Sequence, residues 1–310
     1  MFTFIDMCCG IGAFHTTLRH LGGKCVMACD NDPNAKEMYA ANHGTDFEWC
    51  DDMNSLKSLP AHDVFCAGFP CTTFSYAGKR EGVDNKVTGV LIYKIMALLQ
   101  NSAKKPKVVI LENVLGLLNI HNGRTLRYIQ EKLQHMGYTV RVNEYDAVDF
   151  GAPMHRARVI ITGLMGITGD ITPKVPSRKL YIRDILEKTV KGDVLDPAKY
   201  VVFPKQDWYM VNGKMFVGYI KHHSRDSTKK HLISGHAQAA RVYHIDGVCE
   251  SITSRHQYAV YNGMLVRFLS NREMAAMMGF TASFKLSPKK FTALRQIANS
   301  INIFMLRPVC

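Results

Sequence analysis

Short apolar runs alternate with stretches of helical apolar spacing through the first half of this chain, and that alternation restricts the fold more than any other feature. Runs at 3–8, 24–30, 47–50, 63–66 and 107–114 have the length and composition of buried strands. Helices are expected from the first turn to about residue 21, over 33–43, over 88–102 and over 126–136. The third of these carries Leu91, Ile92, Ile95, Met96, Leu98 and Leu99 at helical spacing. Strands fed through helices in this way form a mainly parallel sheet with helices on its faces. Two further runs, 138–145 and 158–164, read as strands and could form a hairpin at the sheet edge. With 310 residues, 47% of them hydrophobic, the chain can bury a core for one or two domains.

Chemistry in such a sheet gathers at the carboxyl ends of the strands. After the first strand comes Cys9-Gly10-Ile11-Gly12, whose Gly-x-Gly lets a ligand approach the backbone beside helix amides. The third glycine of a dinucleotide fingerprint is missing, so a nucleotide-like group fits better than NAD, and a plain tight turn remains open. The second strand ends in Asp30, placed to accept from ribose hydroxyls. Asp51 and Asp52 after the third strand read from spacing as turn acids. The fourth strand runs into Ala67-Gly68-Phe69-Pro70-Cys71-Thr72-Thr73-Phe74-Ser75, a thiol in a loop stiffened by proline. Glu112 ends the fifth strand and is either a turn cap or a general acid with a raised pKa. Arg156 and Arg158, at alternate positions before an apolar strand, should face one side, as a solvated pair or as a clamp for an anion or carbonyl.

The alternation fades after about residue 166. Between 174 and 241 there are 14 Lys/Arg against 6 Asp/Glu, a net +8 of the chain's formal +13. Tyr181, Tyr200, Trp208, Tyr209, Phe216 and Tyr219 are interleaved with these charges. The segment is expected to be a small irregular or β domain with a basic face suited to nucleic acid. A short helix at 272–278 and a final helix from 288 to about 306 follow, and the apolar positions of the last one suggest packing on the first domain. Nine cysteines, none in a CxxC pair with histidine partners, argue against zinc. Their odd count and the lack of a secretory signal point to a reducing cytoplasm, and no apolar run approaches the roughly 18 residues of a membrane span.

In order, these pieces resemble the DNA cytosine-5 methyltransferases of bacteria and phages over essentially the whole chain. The residues that carry the resemblance are Phe4-Ile5-Asp6-Met7-Cys8-Cys9-Gly10-Ile11-Gly12, Gly68-Phe69-Pro70-Cys71 with Phe74-Ser75 and Gly78, Glu112-Asn113-Val114, Arg156 and Arg158, Leu269-Ser270-Asn271-Arg272-Glu273 through Gly279-Phe280, and Asn299-Ser300. The resemblance implies an α/β fold of the S-adenosylmethionine-dependent, Rossmann-like type, mainly parallel, with a smaller inserted target-recognition domain. Residues 1–180 plus 285–310 would form the catalytic domain and 181–284 the DNA-reading domain. The implied reaction moves a methyl group from S-adenosylmethionine to carbon-5 of a flipped-out cytosine in double-stranded DNA. Cys71 would be the nucleophile, Glu112 the acid at ring nitrogen 3, and Arg158, with Arg156 beside it, the group holding the base's carbonyl. Cys8, Gly10, Ile11, Gly12, Asp30, Asn31, Asp51, Asp52, Pro70, Leu91, Asn299 and Ser300 would contact the cofactor. Ser75, Lys79, Gln238, Arg241 and Thr253 would contact DNA, with Gln238 filling the gap of the flipped base and Arg241 reading guanine.

The implied protein is a monomer in the cytoplasm with no metal, and a restriction endonuclease is a conceivable companion. Several positions depart from the family pattern. Cys8 stands where an aromatic is usual, Thr72 and Met154 where glutamines are, Ala298 where a glycine is, and Asp52 where an apolar residue borders the adenine. These departures keep open a modified sulfonium donor. Two further readings stay open beside DNA methylation, namely the same chemistry on RNA and DNA binding without turnover.

Overall fold

The computed structural model describes residues 1–70, 89–167, 172–189, 193–221 and 238–310. It divides into two compact units. The first comprises Met1–Tyr145, Ala157–Pro173 and Leu306–Cys310, and the second Asp146–Arg156 and Lys174–Met305.

The first unit is built on a seven-stranded sheet. Its strands are β1 (Phe2–Met7), β2 (Gly23–Cys29), β3 (Glu48–Cys50), β4 (Val64–Gly68), β5 (Val108–Val114), β6 (Thr139–Asp146) and β7 (Ala157–Leu164). Their spatial order is β3-β2-β1-β4-β5-β7-β6. The first five pair in parallel, and β7 runs antiparallel to β5. The near-continuous apolar runs of β1, β4 and β5 follow from this, since a parallel sheet is covered on both faces. Helices α1 (Ala13–His20), α2 (Pro33–His43), α3 (Gly89–Asn101), α4 (Gly116–Asn119) and α5 (Arg124–His135) connect these strands. Ile92, Ile95, Met96 and Leu99 of α3 and Ile129 and Leu133 of α5 join Ile5, Phe65, Val109 and Leu111 of the sheet in one buried cluster. Helix α2 is started by Asp32, whose carboxylate accepts from the Asn34 amide at 2.9 Å, with Pro33 as its first residue.

The expected hairpin of the last two strands takes a particular form. β7 lies inside the sheet, against β5, and β6 takes the edge.

The second unit contains β8 (Tyr200–Val202), β9 (Tyr209–Val211), β10 (Lys214–Ile220), β11 (Arg241–His244), β12 (Ala259–Tyr261) and β13 (Val266–Phe268). They are ordered β13-β12-β11-β10-β8, with β9 also on β10. A small core of Leu195, Val217, Ile220, Val242, Ala259 and Val266 supports this sheet. Helices α6 (Asn271–Met277) and α7 (Lys290–Asn299) pack on each other and belong to the same unit. Helix α6 opens with a reciprocal cap between Ser270 and Glu273. Glu273 also pairs with Arg267 at 2.7 Å, both groups almost fully buried.

One expectation changes here. The single final helix is two, α7 and α8 (Ile303–Val309), because Ser300 is extended and Asn302 caps the second helix by accepting from the Phe304 amide at 3.0 Å. At the C-terminal end, Leu306–Cys310 falls in the first compact unit, and the second takes in Asp146–Arg156 as well as Lys174–Met305.

Candidate active site

The strand order reverses between β2-β1 and β1-β4, which marks the point where an open α/β sheet binds ligands. Register aligns the strand ends along this edge. Met7 lies beside Cys29 and Ala67, Cys29 beside Cys50, and Gly68 beside Glu112. The turn after β1, the acid after β2, the acids after β3, Phe69 and Pro70 after β4 and the carboxylate of β5 are therefore neighbours within one unit.

The turn after β1 is shaped by backbone conformation. Cys8, Gly10 and Gly12 all have positive φ, at 53°, 54° and 85°. The Gly10 amide donates to Asp30 Oδ2 at 2.7 Å, and Asp30 Oδ1 accepts from the Asp32 amide at 2.9 Å. Burial raises the Asp30 carboxyl above its ordinary value, against the pull of these amides. A side chain at Gly10 would meet open space, whereas one at Gly12 would strike His43. Burial, Asp30 and Asp6 push the Cys8 thiol up to about 12, so it stays protonated. Ile11 is buried, and its carbonyl accepts from His43 Nε2 at 3.2 Å.

Behind this turn lies a cluster that the sequence does not single out. His15 stacks on His43 at 4.1 Å, and its Nδ1 lies 2.9 Å from the Tyr39 hydroxyl. That hydroxyl donates to Asp6 at 3.2 Å. Burial lowers His15 to about 3 and His43 to about 4, and raises Asp6 well above its usual range. The sequence signal is weak, because a histidine or tyrosine on a helix's inner face reads as ordinary core.

Asn31 is exposed. Asp51 is exposed and held by Lys36 Nζ and Trp49 Nε1, each at 2.9 Å. Asp52 accepts from the Asn54 amide at 2.9 Å and caps a short turn. Pro70 and Leu91 are half-buried, Asn299 is exposed and Ser300 is buried.

On β5, Glu112 is buried and meets Arg158 of β7, with Nε 2.9 Å from Oε1. Register pairs Val114 with Arg158 and Glu112 with Ile160, so the two charges are diagonal neighbours on one face. The turn-cap reading of Glu112 gives way to this ion pair. Asn113 is also buried and donates from Nδ2 to the Phe69 carbonyl at 3.2 Å, tying β5 to the loop after β4. That tie has no signature in the sequence, because an amide beside a carboxylate carries no spacing signal. Cys71, Thr72, Ser75 and Lys79 lie outside the described residues.

The two arginines do not act as a pair. Arg156 belongs to the second unit, is 3% exposed, and donates to Ser251, Ile252, Ala298 and Ser300. In the same unit, Gln238 Nε2 donates to the Ser251 carbonyl at 2.9 Å and bonds the Tyr258 hydroxyl at 2.6 Å. Arg241 pairs with Glu250, whose carboxylate also lies 3.4 Å from Lys214 Nζ. The Thr253 hydroxyl sits 3.3 Å from the His256 ring. Among the described residues no cluster of His, Cys, Asp or Glu could hold a metal, and no helix is long and apolar enough to cross a membrane.

The fold, with acids gathered at one edge of its parallel sheet, defines a class, that of the α/β methyltransferases. A sequence profile described as C-5 cytosine-specific DNA methylase matches residues 2–309. The type II methyltransferase M.HhaI of Haemophilus parahaemolyticus is 28% identical over 313 residues, covering 98% of this chain and 91% of that relative. The type II methyltransferase M.MspI of a Moraxella species is 31% identical over 310 residues, covering 97% and 67%. The Dnmt2 methyltransferase of S. pombe shares the fold at a TM-score of 0.69 and 18% identity, covering 100% of this chain and 98% of that one. The methyltransferase EhMeth of Entamoeba histolytica shares it at 0.73 and 12%, covering 100% and 96%. The chain belongs to the C-5 cytosine-specific DNA methylase family and is a DNA cytosine-5-methyltransferase.

Proposed function

We propose that the chain methylates cytosine within a specific double-stranded DNA sequence through a covalent Cys71 adduct, after flipping the base out of the duplex. The observation that carries this reading is the buried Glu112–Arg158 pair at the sheet edge, beside the strand that leads into Cys71. Cytosine carbon-5 is a poor nucleophile. Addition of the Cys71 thiolate to carbon-6 makes the ring an enamine. Once Arg158 turns from the carboxylate to the base's carbonyl oxygen, Glu112 takes up a proton and supplies it at ring nitrogen 3, where negative charge would otherwise build. Once carbon-5 carries the methyl group, loss of its proton to water lets elimination free the Cys71 thiolate. Asn113 positions the nucleophile loop through the Phe69 carbonyl.

The cofactor in this reading is S-adenosylmethionine, which supplies an electrophilic methyl group on a sulfonium. The turn after β1 fits it. Gly10 leaves an open cradle, and a carboxylate with about four lone-pair sites keeps acceptor capacity at Asp30 for ribose hydroxyls. Asp51, Pro70, Leu91, Asn299 and Ser300 would complete the site. On the DNA side, Gln238, Arg241 and Thr253 are assigned to gap filling, guanine reading and backbone contact. Duplex DNA as the partner, monomeric action and a cytoplasmic setting belong to the same reading, and the basic stretch from 174 to 241 supports the first of them.

The test is a trap. The protein is mixed with S-adenosylmethionine and duplex DNA of mixed sequence carrying 5-fluorocytosine, and a denaturing gel is read for an adduct. Fluorine blocks the final elimination, so the reading expects a stalled adduct that disappears in Cys71→Ser. No adduct on a library covering all short sites would overturn it. Adducts on RNA alone would replace the substrate but keep the chemistry.

A further inference from the structure

Arg156 sits just before β7 with its guanidinium almost wholly buried. Nη1 donates to Ser251 Oγ at 3.0 Å and to the Ile252 carbonyl at 3.4 Å. Nη2 donates to the carbonyls of Ala298 and Ser300, both at 2.7 Å. A guanidinium is planar and rigid, so four acceptors on one fork fix two chain segments against each other.

The first segment is also where other bonds end. The Ser251 carbonyl accepts from Gln238 at 2.9 Å and from the Tyr258 hydroxyl, and Thr253 lies two residues on. The second segment is the end of α7, where Ala298 and Ser300 flank Asn299. On the reading proposed above, on which this inference rests, Gln238 and Thr253 face DNA while Asn299 and Ser300 face the cofactor. One buried side chain therefore holds the DNA-facing segment and the cofactor-facing segment together.

We infer that Arg156 is a positioning residue that couples DNA binding to cofactor binding. Because the fork ties the two segments, a shift that one ligand imposes on its segment is carried through the guanidinium to the other, and each ligand favours the same arrangement of both. Linkage makes the effect reciprocal, with DNA tightening the cofactor by the factor by which the cofactor tightens DNA. Charge alone does not suffice, because an ammonium cannot hold two acceptor pairs in a plane.

The experiment first maps the methylated site, by bisulfite sequencing of a plasmid exposed to the protein and S-adenosylmethionine. The affinity for S-adenosylhomocysteine is then measured with and without a duplex carrying that site, for the wild type, Arg156→Lys and Ser251→Ala. Allosteric couplings typically run from about 5- to 150-fold. The wild type is expected to gain at least about fivefold on adding the duplex. Arg156→Lys is expected to bring the ratio within about twofold of unity, with Ser251→Ala intermediate. Ser251→Ala keeps the fork and decides the matter if Arg156→Lys does not fold. Weaker binding of both ligands at an unchanged ratio would mean a merely structural arginine and overturn the inference. A wild type that methylates DNA but shows no coupling would overturn it equally. A wild type that methylates no DNA would remove the underlying reading, and the inference with it.

Discussion

Glu112 and Arg158 meet across antiparallel strands, Nε to Oε1 at 2.9 Å, with 10% and 14% of their side chains exposed. Each group is the other's compensation for leaving water. Removing Arg158 takes a charge partner from a buried carboxylate, and breaking a buried pair is strongly destabilising. Arg158→Ala is therefore expected to lower stability by about 3 kcal/mol. Glu112→Gln keeps the volume and should cost less in stability, yet reduce methyl transfer by about a hundredfold or more through loss of the acid. Urea denaturation and methyl-transfer rates on the same samples separate the two effects. Equal stability losses with unchanged rates would contradict both roles.

Asn113 tests the loop rather than the acid. Asn113→Ala removes the hydrogen bond that its Nδ2 gives the Phe69 carbonyl, at about 1 kcal/mol. Since Phe69 is two residues from Cys71, the expected signature is a fall in the rate of adduct formation, with affinity for S-adenosylhomocysteine unchanged. Single-turnover trapping beside a binding titration reads this directly.

The two glycines of the first turn should respond differently. Gly10→Ala meets open space and carries only the left-handed backbone penalty of about 1–2 kcal/mol. Gly12→Ala would drive a Cβ into His43 Nε2, a ring already fixed by its stack on His15 and its bond to Ile11. Overpacking adds about 1–3 kcal/mol to the backbone penalty there. Thermal denaturation should rank Gly12→Ala well below Gly10→Ala, and equal losses would mean that His43 gives way freely.

Acid should unfold the chain through His15 and His43. Their folded pKa values, about 3 and about 4, lie below an unfolded value of about 6.5, so the unfolded state binds more protons as pH falls. Each group should then remove about 1.4 kcal/mol per pH unit below about pH 6.5, until its own folded value is reached. His15→Phe should flatten this limb of a stability–pH curve.

His155 runs the other way. Its Nδ1 faces Asp146 at 2.8 Å and its Nε2 faces the Asn212 carbonyl at 2.6 Å, two acceptors that favour the doubly protonated ring. The hydrogen bond to Asp146 raises its pKa. Its contribution is full below about pH 6.5 and is lost as pH rises through the raised folded value. His155→Gln should remove that alkaline loss in the same titration.

The sequence by itself determined the order and kind of nearly every element of the first unit, because apolar periodicity follows from burying one face of a helix or both faces of a parallel strand. It also determined the family, through Gly-x-Gly, the Pro70-Cys71 loop and Glu112 arriving in order at strand ends. Tertiary structure decided what the side chains do there. The alternation rule put Arg156 and Arg158 on one side, but β7 begins at Ala157, so Arg156 stands outside the pleat on which the rule depends. Its acceptors lie 95 to 144 residues away in the chain. The break between α7 and α8 has a similar origin. A continuous apolar pattern says nothing of Asn302, which is buried where its amide can both cap α8 and reach the Met277 carbonyl. Periodicity records how much of a surface is buried, whereas hydrogen-bond partners are fixed by which distant segment the fold brings within about 3 Å.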